Sequence, residues 1–402
     1  MRSKSKTRRS RPKTLKTRVL TMKMLVLGAG LQGSACAYDL LQDPDVKEVR
    51  LADIRIHDLP DFLAPYSGKR LVPTPLDVRD GDAVNALMRE CDGVMSALPY
   101  YFNYEMAVSA VDAGVHFCDL GGNTEIVFKQ KTLHDRAVSE KASVIPDCGL
   151  APGMVNIIAE LGIRRLDDVE AVRIYVGGLP QNPEPPLNYQ IVYSLEGVLD
   201  YYTTLSWVLR GGKRTRVKAL SEREDVKFPE LGTLEAFHTA GGLSTMAFRY
   251  EGKIPTMEYK TLRYPGHAAL MEAIRELGLL DLSPVDVKGH PVVPRNAFIA
   301  TVGPRLLKPK GRDLVALRVT VEGKKGGKKT KLTWELLDKY DASKDISAME
   351  RTTGYSLAIT GLMQVRGQVA GPGVLTPDEA MPAESYIAAL SKRGVQIKES
   401  GS

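Results

Sequence analysis

The stretch that decides the fold is MLVLGAGLQGSACAYDLLQ, residues 24–42. A short apolar run of strand-forming residues leads into three glycines, and a helical pattern follows them. Gly28 permits the tight turn after the strand, Gly30 lets the backbone approach a pyrophosphate, and Gly33 lets the helix pack closely on the sheet. The free N–H groups at the helix start, at Leu31 and Gln32, complete a phosphate site. The spacing therefore predicts a dinucleotide-binding turn.

The acid at the end of the second strand bears on the choice of dinucleotide. Asp53 lies in the strand pattern VRLADI, 20 residues after Gly33, where an acid is expected to bind the adenosine ribose hydroxyls. A carboxylate repels the 2′-phosphate of NADP, so the sequence favours NAD as cofactor. Arg55 could pair with such a phosphate, which keeps NADP open as the alternative.

The alternation of strands and helices continues as far as residue 147. Further apolar runs with strand character lie at 71–78, 92–98, 115–120 and 143–147, separated by helical patterns. Repeated βα units predict an α/β fold whose first domain is a Rossmann domain with a doubly wound parallel sheet. Ligands bind at the carboxyl ends of such strands. The cofactor candidates in those loops are Leu98, Pro99, Gly149, Pro152 and Gly153.

The second half of the chain has a different pattern. Strand-like alternation covers 169–178 and 314–323, and a lysine-rich turn joins the latter to a further strand ending near residue 340. This indicates an α+β domain for substrate binding and oligomerisation, with a mostly antiparallel sheet. The predicted domains are a disordered basic tail (1–22), the Rossmann domain (23–155), the α+β domain (156–345) and C-terminal helices that return to the Rossmann domain (346–402).

Composition argues against several classes of partner. The 402 residues carry a formal net charge of +7, but residues 1–23 hold ten Lys or Arg and no acid. The remaining residues contain 45 basic and 48 acidic side chains, so the basicity belongs to the tail and predicts no nucleic-acid partner. No apolar run reaches the roughly 18 residues of a membrane span, and no secretory signal is recognisable. We expect no membrane partner.

The cysteines and histidines give no metal-site pattern. The cysteines are widely spaced and suit a reducing compartment, for which we expect the cytoplasm. None of the six histidines has metal-ligand spacing, so no metal is expected. The four cysteines are Cys36, Cys91, Cys118 and Cys148.

Three polar loops in the second half are candidates for substrate contact. They span residues 177–197, 234–245 and 259–271. Each also has a structural explanation, such as a surface ion pair for Arg263 or a helix cap for His267. The polar side chains that stand out are Tyr189, Ser194, His238, Arg263, Tyr264 and His267.

At these loops the sequence resembles the saccharopine dehydrogenase-like oxidoreductases. The resemblance runs from about residue 24 to about residue 394, and it is greatest for the lysine 6-dehydrogenase branch, on the segments PEPPLNYQIVYSLEG and EAFHT. Ala151 stands where saccharopine-forming relatives often carry an acid, which favours a different substrate. The other motifs that carry the resemblance are VLGAGLQG, ADIR, SALPYYFN, HFCDLGG, IPDCGLAPGM, KTLRYPGH and MERTTGY.

The resemblance implies NAD-dependent oxidative deamination of the ε-amine of L-lysine. Hydride would leave C6, and hydrolysis of the resulting imine would give ammonia and the 6-semialdehyde, which cyclises to piperideine-6-carboxylate. The amine must first lose a proton, so a general base is required. A cation should bind the substrate carboxylate.

Site roles follow as hypotheses. Asp119 matches a position where related enzymes use an acid for substrate binding, so we place it among the catalytic residues. His238 is the first candidate for the general base because its reference pKa is near neutral. Arg263 is the candidate carboxylate clamp. The other expected substrate contacts are Tyr189, Ser194, Tyr264 and His267.

Three alternative functions remain open. The chain could be a saccharopine reductase or dehydrogenase, a carboxyspermidine-type dehydrogenase, or a non-catalytic dinucleotide-binding regulatory protein. In each case the partner is a small molecule, and a homo-oligomer is the expected assembly.

Overall fold

The computed structural model describes residues 21–308 and 311–401. Residues 1–20, which make up most of the predicted basic tail, lie outside the described residues, and the first strand begins at Met22. The first part of the described chain contains the strands β1 (Met22–Leu27), β2 (Val46–Asp53), β3 (Leu71–Pro75), β4 (Gly93–Ser96), β5 (His116–Asp119) and β6 (Ser143–Ile145). The helices of this part are α1 (Leu31–Gln42), α2 (Gly81–Met88), α3 (Asn103–Ala113), α4 (Thr124–Lys131), α5 (His134–Ser139) and α6 (Met154–Arg165).

The second part is richer in strands. Its strands are β7 (Asp168–Pro180), β8 (Ser206–Arg210), β9 (Lys213–Val217), β10 (Glu224–Phe228), β11 (Gly232–His238), β12 (Thr256–Arg263), β13 (Val285–Val287), β14 (His290–Val292), β15 (Asp313–Lys325), β16 (Lys328–Lys339), β17 (Gly373–Val374) and β18 (Lys398–Gly401). Its helices are α7 (Leu195–Thr203), α8 (Met246–Arg249), α9 (His267–Glu276), α10 (Pro294–Leu306), α11 (Ala348–Val365), α12 (Pro377–Ala380) and α13 (Ala383–Lys392).

The first large sheet is parallel throughout, in the order β17-β6-β5-β4-β1-β2-β3. Its central strands are buried apolar runs, because helices cover both faces of such a sheet. The strand order reverses beside β1, where ligands bind in open α/β sheets. The predicted Rossmann fold is confirmed.

The second large sheet has nine strands and is mixed. Its main path is β10-β11-β12-β7-β15-β16-β18, and β8 and β9 extend it from β12. Only β7 and β12 pair in parallel, so the sheet is mostly antiparallel, as predicted. The lysine-rich turn is the tip of the β15–β16 hairpin.

Helix α11 joins the two parts. It packs against α1, β4, β5 and β15, and nearly all of its residues are buried. An ideal Cβ on Gly354 would lie 2.8 Å from the carbonyl oxygen of Gln32, so a glycine is needed for this close approach to α1. Helix α11 lies within the segment 346–402, for which the sequence predicts helices that return to the Rossmann domain.

One predicted helix is divided into two shorter helices. The pattern over 124–141 suggests a single helix, but Thr132 and Leu133 separate α4 from α5.

Within the described ranges, none of the helices has both the length and the apolar character that crossing a membrane requires.

Candidate active site

A cleft of about 840 Å³ is lined by residues of both large sheets. Its walls come from the glycine turn after β1, from the loops after β4, β5 and β6, and from β12, α7 and α11. The loops at the carboxyl ends of the parallel strands therefore form one side of the cleft, as the sequence predicts. The strand β12 and the helix α7 form the facing side.

The three glycines of the turn have separate structural roles. Gly28 has a φ of +92°, and an ideal Cβ on Gly33 would stand 1.8 Å from the carbonyl oxygen of Gly28. An ideal Cβ on Gly30 meets no atom within 4 Å. Gly28 and Gly33 thus maintain the turn, whereas Gly30 leaves open space at the cleft.

The start of α1 fits a phosphate group. Gln32 lines the cleft, and both polar atoms of its buried amide lack a hydrogen-bond partner among the described residues. The first N–H groups of a helix have no partner within it, and here the ladder begins where Ser34 N donates to Gly30 O, at 2.9 Å. Unpaired donors beside an open glycine are what the phosphates of a dinucleotide require. The residues present therefore fit such a cofactor, whose phosphates Leu31 and Gln32 would hold.

Asp53 lies beside the same turn. Its Oδ2 accepts a hydrogen bond from Ala29 N at 2.8 Å, and its Oδ1 accepts one from Arg55 N at 2.9 Å. These bonds hold the carboxylate at the end of β2, while the Arg55 side chain is exposed. The role of Asp53 at the ribose stays a prediction.

The structure brings most of the other predicted cofactor residues to the cleft. Gly153 is different: its φ is +128°, and an ideal Cβ would stand 2.2 Å from Gly149 O, so it serves the turn that starts α6. Ser356 of α11 supports this loop by donating to Gly149 O at 3.1 Å. The residues that line the cleft are Leu98, Pro99, Gly149 and Pro152.

Arg263 lines the cleft from the end of β12. Its side chain is buried, and its Nε donates to the Tyr202 hydroxyl at 3.1 Å and its Nη1 to Leu262 O at 2.9 Å. The Tyr189 ring centroid lies 4.9 Å from the guanidinium carbon. No carboxylate of the described chain forms an ion pair with it. A buried cation that faces a cleft and has no anionic partner is suited to bind the carboxylate of a ligand.

Three residues predicted to contact substrate lie behind or beside Arg263 instead. The His267 Nδ1 is 2.9 Å from Leu187 O and therefore carries the proton, so its Nε2 accepts from the Tyr202 hydroxyl at 3.0 Å. Burial, and secondarily the nearby Arg263, lowers the pKa of His267 to about 3, so it is neutral. Tyr264 donates to Pro180 O at 2.8 Å. Tyr189, Tyr264 and His267 do not line this cleft and act as supports, whereas Ser194 lines it and caps α7.

Asp119 is fully buried beneath the loop after β5. Its Oδ1 accepts from Gly121 N at 2.7 Å, and its Oδ2 accepts from Gln130 Nε2 at 2.7 Å. Burial raises the pKa of Asp119 to about 6. The carboxylate does not line the cleft, and its bonds instead shape the Gly121–Gly122 wall.

A second buried carboxyl, which the sequence did not single out, lies next to it. Asp147 accepts from Gly122 N at 3.3 Å and from the Ser244 hydroxyl. Burial raises the pKa of Asp147 to about 7, and the neighbouring Asp119 adds to the increase. The two carboxyls thus hold the backbone N–H groups of Gly121 and Gly122, which line the cleft.

His238 lies on the wrong face of the second sheet for a general base. It pairs in register with Lys260, whose neighbours Tyr259 and Thr261 line the cleft. Because successive side chains of a strand point to opposite faces, His238 shares the face of Lys260, away from the cleft. Its position therefore gives no support to the predicted role.

On that far face, His238 belongs to a charged cluster. Its Nε2 lies 3.1 Å from Glu222 Oε2, and its Nδ1 lies 3.1 Å from Tyr259 O. The guanidinium of Arg210 pairs with Glu222 at 2.8 Å and with Glu258 at 2.7 Å. Burial lowers the pKa of His238. The positive charges opposite the two carboxylates come from Arg210 and from Arg173, whose Nε pairs with Glu258 at 3.2 Å.

Several cleft residues were missed by the sequence reasoning. The signals were present: Tyr259 and Thr261 share the two-residue period of Arg263 in β12, and Glu196 and Asp200 are four residues apart, on one face of a helix. The two-residue period of β12 and the four-residue spacing in α7 do not by themselves say which face of the strand or helix lines the cleft. The polar lining residues that were missed are Tyr101, Asp200, Tyr201, Arg295, Asn296 and Thr353. Tyr193, Glu196, Tyr259 and Thr261 lie within the predicted loops 177–197 and 259–271, and Tyr100 follows the predicted Leu98 and Pro99, although none of these five was chosen individually.

Two family models match the chain. The model described as "Saccharopine dehydrogenase NADP binding domain" matches residues 24–145, and the one described as "Saccharopine dehydrogenase C-terminal domain" matches residues 149–395. The first match contains the glycine turn, and the second contains β12 and α7.

Curated relatives are similar along most of the chain. Saccharopine dehydrogenase (NADP+, L-glutamate-forming) of Schizosaccharomyces pombe is 22% identical over 397 residues, covering 81% of this chain and 87% of that protein. Carboxyaminopropylagmatine dehydrogenase of Synechocystis is 20% identical over 409 residues, covering 94% and 97%.

Solved structures agree in fold. Apo saccharopine dehydrogenase (L-Glu forming) from Saccharomyces cerevisiae superposes with a TM-score of 0.78 at 20% identity, over 95% of this chain and 100% of that one. Homospermidine synthase from Legionella pneumophila, in complex with NAD, has a TM-score of 0.68 at 10% identity, over 95% and 91%. At these identities the likeness establishes the fold alone.

Proposed function

This chain belongs to the saccharopine dehydrogenase family, and on that premise we propose that it oxidatively deaminates the ε-amine of L-lysine with NAD. As a member of the family, it is an oxidoreductase that acts on amino groups and has an NAD(P)-binding domain. The choice of lysine and of NAD is the part we propose.

The unpaired guanidinium of Arg263 is the observation that carries the proposal. Among the described residues lining the cleft, the other cation is Arg295, whose Nη1 pairs with Asp200 Oδ1 at 2.5 Å. One free cation matches a substrate with one carboxylate. Saccharopine carries three carboxylates, and two of them would lack a cationic partner in this cleft.

The reaction needs few groups from the protein. Arg263 holds the carboxylate at the β12 side of the cleft, and the aliphatic chain directs C6 toward the wall formed by Gly149 and Pro152. A nicotinamide held there would accept the hydride from C6. The ε-ammonium group first loses one proton to water. After hydride has left C6, water adds to the resulting C=N bond, and the C–N bond breaks to give the aldehyde and ammonia.

Asp53 supports NAD over NADP. Its carboxylate is held beside the turn by two backbone N–H groups, at the end of β2. A fixed negative charge there repels a 2′-phosphate, whereas it can accept a hydrogen bond from a ribose 2′-hydroxyl. The family description names NADP, so the preference is to be measured for this chain directly.

The deciding experiment is a substrate and cofactor panel. The purified protein is incubated with NAD or NADP and with L-lysine, saccharopine or carboxyspermidine, without any keto acid, and absorbance of the reduced cofactor and free ammonia are recorded. We expect lysine-dependent reduction of NAD with one ammonia per NADH. Reduction with saccharopine alone, or with no ammonia released, would contradict the proposal.

A further inference from the structure

The described lining of the cleft contains two cations and two anions, and only one cation and one anion pair with each other. The described charged residues of the lining are Glu196, Asp200, Arg263 and Arg295. Asp200 and Arg295 pair with each other, and Arg295 is further held by Thr203 Oγ1 at 3.0 Å and Leu280 O at 3.0 Å. One cation, Arg263, and one anion, Glu196, are left without a partner among the residues that the structure describes.

Glu196 is positioned to offer its carboxylate to a ligand. It lies in the first turn of α7, where the Ser194 hydroxyl caps the helix by accepting from Gly197 N at 3.2 Å. The positive end of the helix dipole stabilises a carboxylate in the first turn. Its side chain is exposed at the cleft. Since Arg295 already neutralises Asp200, the net negative charge on this face of α7 is that of Glu196.

We propose that Glu196 binds the α-ammonium group of the amino-acid substrate and makes the site specific for a free α-amino acid. This inference depends on the proposed function. The α-carboxylate and α-ammonium share one carbon, so a zwitterionic end requires one cation and one anion in the same cleft, and Arg263 and Glu196 supply them. The buried guanidinium of Arg263, which has no anionic partner among the described residues, is the second observation that points to a ligand in this cleft.

The reacting nitrogen is the wrong partner for Glu196. The ε-amine must be neutral when hydride leaves C6, and a carboxylate beside it would favour its protonated form. Glu196 and Arg263 also belong to the second part of the chain, whereas the predicted nicotinamide wall is built by loops of the first sheet. Glu196 therefore acts on specificity rather than on the chemical step.

The test compares two substrates in the Glu196→Gln variant, which keeps the shape and removes the charge. L-Lysine is compared with 6-aminohexanoate, which lacks the α-amine and serves as a substrate or, if it is not turned over, as a competitive inhibitor. We expect kcat/KM for L-lysine to fall about 10- to 100-fold, as for loss of a hydrogen bond between charged groups. The kcat/KM or Ki of 6-aminohexanoate should stay unchanged.

Glu125→Gln is the matched control, because Glu125 is also an exposed first-turn glutamate, in α4, and does not line the cleft. It should leave both values as in the wild type. An equal loss for both compounds, or no loss for L-lysine, would overturn the role of Glu196 while the proposed function stands. A wild-type protein inactive on L-lysine would overturn the proposed function and this inference with it.

Discussion

Ser244, in the loop after β11, donates its hydroxyl hydrogen to the Asp147 carboxylate in the loop after β6. Both residues have positive φ, +50° for Ser244 and +62° for Asp147, and both are buried. The contact links the second sheet to the first directly beneath the Gly121–Gly122 wall of the cleft. The geometry of the cleft thus depends on a hydrogen bond between residues 97 positions apart.

The protonation of Asp147 predicts a pH-dependent stability. Its folded pKa of about 7 is raised above its ordinary value by burial, so the folded protein binds this proton more tightly than the unfolded chain. The stability it contributes is complete below about pH 4 and is lost as pH rises through about 7. We expect the melting temperature of the wild type, relative to Asp147→Asn, to fall between pH 5 and pH 8.

Asp77→Asn is the control for that measurement. The Arg79 hydrogen bond lowers the pKa of Asp77 to about 2, so its contribution is present above about pH 4 and is lost only as pH falls through about 2. The difference between wild type and Asp77→Asn should stay constant from pH 5 to pH 8. A constant difference for Asp147→Asn as well would contradict the assigned pKa.

The glycine turn predicts different outcomes for two similar substitutions. Gly30→Ala places a methyl group in open space, so melting should be unchanged while NAD affinity falls at least about tenfold, since the phosphate approaches there. Gly33→Ala forces a methyl group onto the Gly28 carbonyl and should destabilise the fold by about 1–3 kcal/mol or more. Thermal melts and NAD titration separate the two effects. Equal NAD affinity in Gly30→Ala and wild type would argue against phosphate binding at this turn.

The role of Arg263 predicts a change that depends on the substrate carboxylate. Arg263→Gln should lower kcat/KM for L-lysine about 10- to 100-fold, the value of a charge-assisted hydrogen bond. Activity with 1,5-diaminopentane, which has no carboxylate, should not fall. Because Arg263 is buried, melting temperature is measured in parallel, and Arg263→Lys should restore part of the activity. Equal losses for both amines would show that Arg263 supports the fold only.

The position of His238 predicts that its loss spares turnover. His238→Asn removes the contact with Glu222 on the far face of the sheet, so we expect a lower melting temperature but kcat within about threefold of the wild type. A general base would cost about 100-fold or more. A loss of that size in a variant that melts like the wild type would return His238 to the reaction.

Local patterns of the sequence were sufficient for the dinucleotide turn, the parallel sheet and the β15–β16 hairpin. Gly28, Gly30 and Gly33 act within a few residues of one another, and the hairpin strands are joined by a short turn. Backbone geometry and hydrophobic burial at this range depend little on the rest of the chain.

The direction of each side chain depended on contacts between distant segments. His238 and Thr261 belong to neighbouring strands, yet register and pleat place them on opposite faces, and no period in β11 says which face meets the cleft. The raised pKa of Asp147 comes from burial in the packed chain, and the same packing brings Ser244, 97 positions later, to its carboxylate. Arg295, which lies 99 residues after Glu196, neutralises Asp200, and this leaves Glu196 as the unpaired acid of α7 at the cleft. Burial and pairing of charges are properties of the packed chain, whereas turns and strands are properties of its segments.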